Sequence, residues 1–387
     1  MAIRLPRTSH HRYGVLALAV LAGCSSPPPR QPVDNAQVQQ FASKGYLGEE
    51  QFSIRTTPQT WMVAGQSMDV LLSVPVRPGR YPLVIYLPGL GESRMAGEVW
   101  RNAWCQAGYA VLSAQPLASD SQVWQSQDAR NGDFKPLVRE RYSDAMMDQR
   151  QTDLRALLAE FQKRSRSGDE LLDNVNLDNI AVAGYDLGAY TALVAAGDHT
   201  RSGKPSAPKN ESPFRAVIAL SPHADFTGSA FEQRYGDIKV PVLSITGDGD
   251  ADPYGLGISS NLRSAPFQYM PPKDKFLLML ESANHDLFAG NTHSADGGKQ
   301  EDAGREKNNR SERRRRGVEA DMDGMQEGLG NGRSGMGGTA RAMGQSAVTS
   351  VTTAFLDTYL KDDTISREWL SRDARRWLKN TGTLTVK

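Results

Sequence analysis

The sequence predicts an α/β fold with a mostly parallel central sheet and helices on both faces. Three observations lead there. Short runs rich in Val, Ile and Leu recur along the chain, and the run 81–87, Tyr-Pro-Leu-Val-Ile-Tyr-Leu, lacks polar alternation, as a strand covered on both faces requires. Helical patterns separate these runs: within 142–164, Leu154, Leu157, Leu158 and Phe161 fall on one face at i, i+3, i+4 and i+7. Finally, 180–193 reads as a buried strand, a sharp turn at Gly184-Tyr185-Asp186-Leu187-Gly188, and a helix.

A chain of 387 residues with 39% hydrophobic content is long enough for one large α/β domain with appendages. Its 45 basic and 44 acidic residues leave no electrostatic footprint for nucleic acid and no acidic excess for a solvating or calcium-buffering role. Cys24 and Cys105 are the only cysteines, so no intramolecular disulfide framework holds the fold. At the start, Arg4, Arg7 and Arg12 precede the apolar run 13–22, the layout of a secretory signal and too short to span a bilayer. The run ends Leu21-Ala22-Gly23-Cys24, which resembles the bacterial lipobox. That resemblance implies that residues 1–24 are a lipoprotein signal, that Cys24 carries the lipid and becomes the first mature residue, and that the membrane is a partner. Ser25 in place of aspartate implies an outer-membrane anchor facing the periplasm. Residues 25–50, with Pro27-Pro28-Pro29, read as a tether without a core of its own.

The main domain is expected over 51–290. Edge strands are expected at 50–57 and 68–76, and inner strands at 81–87, 109–114, 179–183, 214–220, 240–246 and 275–280. Cys105 falls in an expected helix over 100–107, as a small buried apolar residue without a basic neighbour to activate it. The polar segment 115–141, with Trp124 and Phe134, either drapes over the strand ends as a pocket wall or is a surface excursion. Residues 291–345 are rich in Gly and charge, with Arg313 to Arg316 in a row, and are expected to be a disordered insertion. Helices over 346–387, with Val348, Val351, Phe355, Leu356 and Tyr359 on one face, complete the domain.

Gly184-Tyr185-Asp186-Leu187-Gly188 has the G-x-S-x-G spacing of a nucleophile elbow, where small flanking residues let a strained turn project one side chain above the sheet. The projecting residue here is Asp186. After the next-but-one strand comes Gly247-Asp248-Gly249-Asp250-Ala251-Asp252-Pro253, and after the following strand Glu281-Ser282-Ala283-Asn284-His285. Elbow, acid and histidine thus follow in order on strand-end loops, where ligands bind in parallel sheets. Asp250 is preferred to Asp252 as the acid, and His285 to His223 as the base. Asp248-x-Asp250-x-Asp252 mimics the start of a calcium loop, but Pro253 and Ser259 stand where glycine and a bidentate glutamate are needed. The Gly-rich turn Leu87-Pro88-Gly89-Leu90-Gly91-Glu92 can aim the Leu90 N–H, with that of Leu187, at developing negative charge.

With Pro88-Gly89-Leu90-Gly91, Arg150-x-x-Asp153, the elbow, Thr246-Gly247-x-x-Asp250-x-x-Pro253 and Ala283-Asn284-His285, the chain resembles the α/β-hydrolase superfamily. The likeness is to the bacterial dienelactone-hydrolase, platelet-activating-factor-acetylhydrolase and polyester-hydrolase-like branch, over about residues 68–290 and again over 346–360. It implies a hydrolase of small ester-like molecules without cofactor or metal, with Asp186 at the nucleophile position, His285 as base and Asp250 orienting it. Aspartate for serine is the departure that matters. A carboxylate that attacks an sp3 carbon gives an alkyl ester, the route of haloalkane dehalogenases and epoxide hydrolases of the superfamily; those often carry Trp where Leu187 stands. The other expectation is an esterase silenced by the substitution and kept as a binding or scaffold lipoprotein.

Overall fold

The computed structural model describes residues 33–115, 118–200, 202, 212–292 and 337–387, all within one unit. In chain order its elements are α1 (Asn35–Ala42), β1 (Ile54–Val63), β2 (Gln66–Pro75), β3 (Tyr81–Leu87), α2 (Glu98–Gln106) and β4 (Ala110–Ala114). A 3-10 turn at Ala118–Gln125 leads to α3 (Gln127–Arg130), α4 (Phe134–Arg141), α5 (Asp144–Arg166), β5 (Val175–Tyr185), α6 (Leu187–Ala196) and β6 (Ala216–Leu220). Then come α7 (Phe231–Tyr235), β7 (Val242–Gly249), α8 (Ser260–Arg263), α9 (Ala265–Tyr269), β8 (Lys275–Asn284) and α10 (His285–Ala289). The last described stretch holds α11 (Gly338–Leu360), α12 (Thr364–Glu368), α13 (Ala374–Leu378) and β9 (Gly382–Val386).

The strands form one sheet in the order β1-β2-β4-β3-β5-β6-β7-β8-β9. From β4 to β8 every pairing is parallel, while β1, β2 and β9 are antiparallel to their neighbours. All seven residues of β3 are buried, and the pleat divides them between two cores. Val84 and Tyr86 pack with Trp100 and Trp104 of α2 and Phe355 of α11; Leu83, Ile85 and Leu87 pack with Leu157 and Phe161 of α5 and Leu193 of α6. The period of two along a strand therefore builds both layers from one apolar run. Because β3 has β4 on one side and β5 on the other, the chain reverses its winding there, and the loops after β3 and β5 part at the carboxyl end of the sheet.

Five expectations need correction. Of the segment 25–50, residues 33–50 are described and are more than a tether: α1 forms on an Asp34 cap, Phe41 stacks on Trp377 at 4.4 Å, and the Tyr46 hydroxyl donates to Asp357 at 2.7 Å. Aromatic contacts hundreds of residues away, invisible to local composition, dock it on the domain. The first strand runs over Ile54–Val63 rather than 50–57, and β2 lies inside the sheet between β1 and β4 rather than at an edge. The helix expected from 346 begins at Gly338, inside the expected insertion, whose residues 293–336 lie outside the described ones. The C-terminus ends not in helix but in β9, whose backbone covers the open side of β8.

The Phe41→Ala variant is expected to lose about 2 kcal/mol of stability, less than for a fully buried aromatic because Phe41 keeps an exposed edge. Urea unfolding measures the loss; a wild-type midpoint would mean that α1 is not docked through this residue.

Candidate active site

The sheet register assembles the site. Tyr185 pairs with Leu220, so Asp186 and Ser221 leave β5 and β6 side by side; Gly249 pairs with Asn284, so Asp250 and His285 leave β7 and β8 together. At the elbow Asp186 has φ 52° and ψ −109°, a left-handed conformation that costs a non-glycine residue about 1–3 kcal/mol. The glycines on either side are sterically required. A Cβ at Gly184 would lie 2.3 Å from the Gly188 backbone, and one at Gly188 would lie 2.0 Å from the Leu87 carbonyl oxygen. The turn is anchored by the Asp186 N–H donating to the Leu220 carbonyl at 2.9 Å, and its own carbonyl accepts the Tyr190 N–H at 3.0 Å to start α6.

The structure brings Asp186, Asp250 and His285 together. His285 Nδ1 lies 2.9 Å from Asp250 Oδ1, and its Nε2, buried and without a hydrogen-bond partner, faces Asp186 Oδ1 at 3.9 Å. With Asp250 ionised, Nδ1 carries the shared proton and Nε2 is the basic nitrogen. Asp250 is wholly buried. Burial opposes its ionisation, but Arg263, with Nε 3.1 Å from Oδ1, and hydrogen bonds from His285 and Thr246 outweigh this and hold the carboxyl below the usual range. Arg263 also donates to the Asp250 and Ser221 carbonyls, both at 3.0 Å. Asp252 plays a different part, since its two oxygens accept the N–H groups of Tyr254 and Gly257 and shape the loop beyond the acid. Among the described residues no three His, Cys, Asp or Glu side chains converge to hold a metal.

Leu90 and Leu187 are both buried beside the elbow, in a cluster with Val123, Leu137, Val138 and Tyr142. Residues 122–141 of the expected 115–141 segment thus pack over the strand ends, with Trp124 stacked on Tyr254 at 5.8 Å. Asp186 is left only 1% exposed. Two surface hollows, one of about 350 Å³ at Phe52, Tyr81 and Leu360 and one of about 400 Å³ at His199 and Asp237, lie away from it. His223 is buried against the Tyr142 ring at 4.2 Å and bonded to Asp225 at 3.1 Å, a neighbour of the site rather than its base. Cys105 is buried in the α2 core, and burial pushes its thiol up to about 12, so it is no nucleophile at neutral pH. Cys24 lies outside the described residues.

Several site residues escape the sequence reading. Tyr254 directs its hydroxyl to Asp186 Oδ2 at 3.4 Å, and both it and Tyr142, which feels the Asp186 charge, are held well above 10, by burial first. Ser221, also at positive φ, lies 2.9 Å from both Asp250 Oδ1 and His285 Nδ1 and fixes their mutual orientation. Glu92 accepts the Gly89 N–H at 2.8 Å and the Asn291 amide at 2.9 Å, and burial, with the Asp186 charge adding to it, pushes its carboxyl up to about 7. The Ser221-Pro222-His223 and Gly89-to-Glu92 strings mark the loops but not these roles. No family model matches the chain, and no curated protein matches it.

Arg263→Met leaves Asp250 buried without its cation and is expected to cost about 3 kcal/mol at pH 7. The low folded-state pKa of Asp250 gives stability that is present above the unfolded value of ~4 and lost as pH falls through the folded one. In the variant the folded carboxyl titrates higher, so the loss shrinks between pH 7 and pH 5. Chemical denaturation at both values checks this; a loss independent of pH contradicts it.

Proposed function

We propose that the chain is an α/β-hydrolase-fold hydrolase in which Asp186 attacks an sp3 carbon and is alkylated, and His285 drives hydrolysis of the resulting ester. The observation that carries this reading is the free Nε2 of His285 at 3.9 Å from Asp186, with Nδ1 engaged by Asp250. That gap is too long for a direct hydrogen bond, and it is a length that a single water, about 2.8 Å from each atom, would bridge. A serine would need the base at the first step; an ionised carboxylate needs it only for the second.

In the first step an Asp186 oxygen forms a bond to carbon, and the leaving group departs with its electron pair. In the second, His285 Nε2 takes a proton from water, whose oxygen adds to the Asp186 carboxyl carbon. The oxyanion develops at the N–H groups of Leu90 and Leu187, where the start of α6 also favours negative charge. Collapse expels the alcohol, which takes the proton from His285, and Asp186 then releases the second proton of that water to solvent and returns as the carboxylate. The strained, glycine-flanked elbow and the Asp250–Arg263 support favour this over a merely structural aspartate, since each costs stability. The silenced-esterase reading draws on the same base and acid behind a residue that cannot transfer acyl groups through a stable ester.

Single-turnover hydrolysis in oxygen-18 water, followed by peptide mass analysis, is expected to place label in the Asp186 carboxylate; turnover without label would sink the covalent step. Gain of short-chain ester hydrolysis in Asp186→Ser, with no turnover of epoxides or halides by the unaltered chain, would favour the silenced esterase.

For location, we propose a lipid anchor on Cys24 in a bacterial outer membrane, with the domain facing the periplasm. The support is the basic flank, apolar run and Leu21-Ala22-Gly23-Cys24; among the described residues no helix is long and apolar enough to cross a membrane. Cys24→Ala is expected to move the protein from the membrane to the soluble fraction, and an unchanged distribution argues against the anchor.

A further inference from the structure

Asp186 and His285 sit in a closed site. The carboxylate is 1% exposed and the Nε2 of the imidazole is buried, so a ligand reaches neither until something moves. The covering layer is residues 122–142. Val123, Leu137, Val138 and Tyr142 are buried in one cluster with Leu90 and Leu187, while Asp128, Arg130, Lys135 and Arg139 face solvent. Among the described residues, the hydrogen bonds of 122–139 close within 118–142: the Arg130 guanidinium donates to the Gln125 carbonyl at 2.8 Å, the Gln127 amide to Asn131 at 3.0 Å, and the Ala129 N–H to Ser126 Oγ at 3.2 Å. The layer is held on its floor by apolar contact. Lifting it leaves those bonds intact, which is the condition for a local opening well below global unfolding in free energy.

Trp124 is the part of the layer that reaches the site. Its indole stacks on the Tyr254 ring, with centroids 5.8 Å apart and planes 28° from parallel, and Phe134 meets it edge-on at 5.9 Å. Gly91, next to Leu90 on the turn after β3, lies against the same ring. A Cβ there would come to 1.7 Å from the indole nitrogen, so glycine at 91 makes the space that the ring fills. Tyr254, which walls this slot, carries its hydroxyl to Asp186 Oδ2 at 3.4 Å and lies edge-on to His285 at 6.5 Å. The indole N–H is buried without a hydrogen-bond partner. A buried tryptophan usually finds an acceptor; this one fills the slot by shape alone.

We propose that residues 122–142 form a lid, that Trp124 occupies the ligand's own subsite, and that the ligands are small molecules whose flat aromatic ring replaces the indole on Tyr254 when the lid opens. The inference takes Asp186 as the reacting group, as proposed above, and adds which molecules are brought to it.

The slot selects a ring over other apolar groups. Stacking on Tyr254 rewards a planar face beyond the area it buries. The neighbouring Leu90, Leu187 and Leu256 carry no charge, so a strongly hydrated group would lose its water there without compensation. Because Trp124 must first leave, a ligand binds more weakly than its contacts allow, in proportion to the open fraction. Removing the indole removes that handicap.

The test needs no turnover, so its outcome is separate from that of the oxygen-18 label at Asp186. In hydrogen exchange on the full chain, the amides of α4 are expected to exchange through an opening that leaves those of β3 and β5 protected; exchange of all three together overturns the lid. Coupling of glycinamide to Asp186 by a water-soluble carbodiimide, read by peptide mass, measures access to the site, with Asp198, equally buried in its ion pair with Arg234, as the reference. Trp124→Ala is expected to speed coupling at Asp186 about tenfold and to leave Asp198 unchanged. An unchanged rate at Asp186, or a rise at both carboxylates, overturns Trp124 as the cover. In Trp124→Ala, 2-phenylethanol is expected to slow coupling at Asp186, and 2-cyclohexylethanol to do so several-fold less well. Equal protection by the two alcohols, or none by either, overturns the aromatic class.

Discussion

The contact on which this architecture depends is the approach of α6 to the end of β3, possible only because residue 188 has no side chain. A Cβ there would press to 2.0 Å from a backbone oxygen, which no rotamer change relieves. With the helix seated that close, the chain must turn from β5 into α6 within one residue, and Asp186 takes the left-handed conformation that such a turn demands. Its strain is offset by the bond to the Leu220 carbonyl and by the packing of both cores against the sheet. The consequence is chemical. The side chain at 186 is held at the carboxyl end of the sheet, beside the loops after β3, β6 and β8, already ordered by the backbone that carries it.

Sheet register extends the same constraint to the other groups. Parallel pairing carries each strand end to the same level, so the acid, the histidine and Ser221 emerge beside Asp186 without long loops to position them. Rigid strand ends suit groups whose spacing matters to within a fraction of an ångström. The aromatic and aliphatic packing of 118–142 over this floor excludes water and raises the influence of every charge within it.

What could be read from the sequence was local. The elbow, Asp250 and His285 stand in short strings beside apolar runs, and the α/β class follows from the same alternation. Arg263, Tyr254 and Glu92 reach the site from elements whose local sequence has no reason to signal chemistry. Arg263 sits on α8, one turn long, and only folding brings it to Asp250. The docking of α1 through Phe41 and Trp377 and the pairing of β9 with β8 are likewise long-range, and a polar, proline-rich composition before residue 50 points away from the former. Aspartate at the elbow was visible at once, yet its meaning depends on groups that were not.

Those groups suggest a charge balance that changes during turnover. Asp250 and Arg263 offset one another, and His285 stands between Asp250 and the negative charge of Asp186. Burial first, with the Asp186 charge adding to it, pushes the nearby Glu92 carboxyl up to about 7. Alkylation of Asp186 on the proposed route removes that charge. The repulsion from Asp186 that adds to the raised proton affinity of Glu92 would fall away in that step, while the bonds from Gly89 and Asn291, which favour the charged form, remain. On that route an aspartate in the elbow does more than replace a serine: it makes the proton affinity of its neighbour depend on the stage of the reaction.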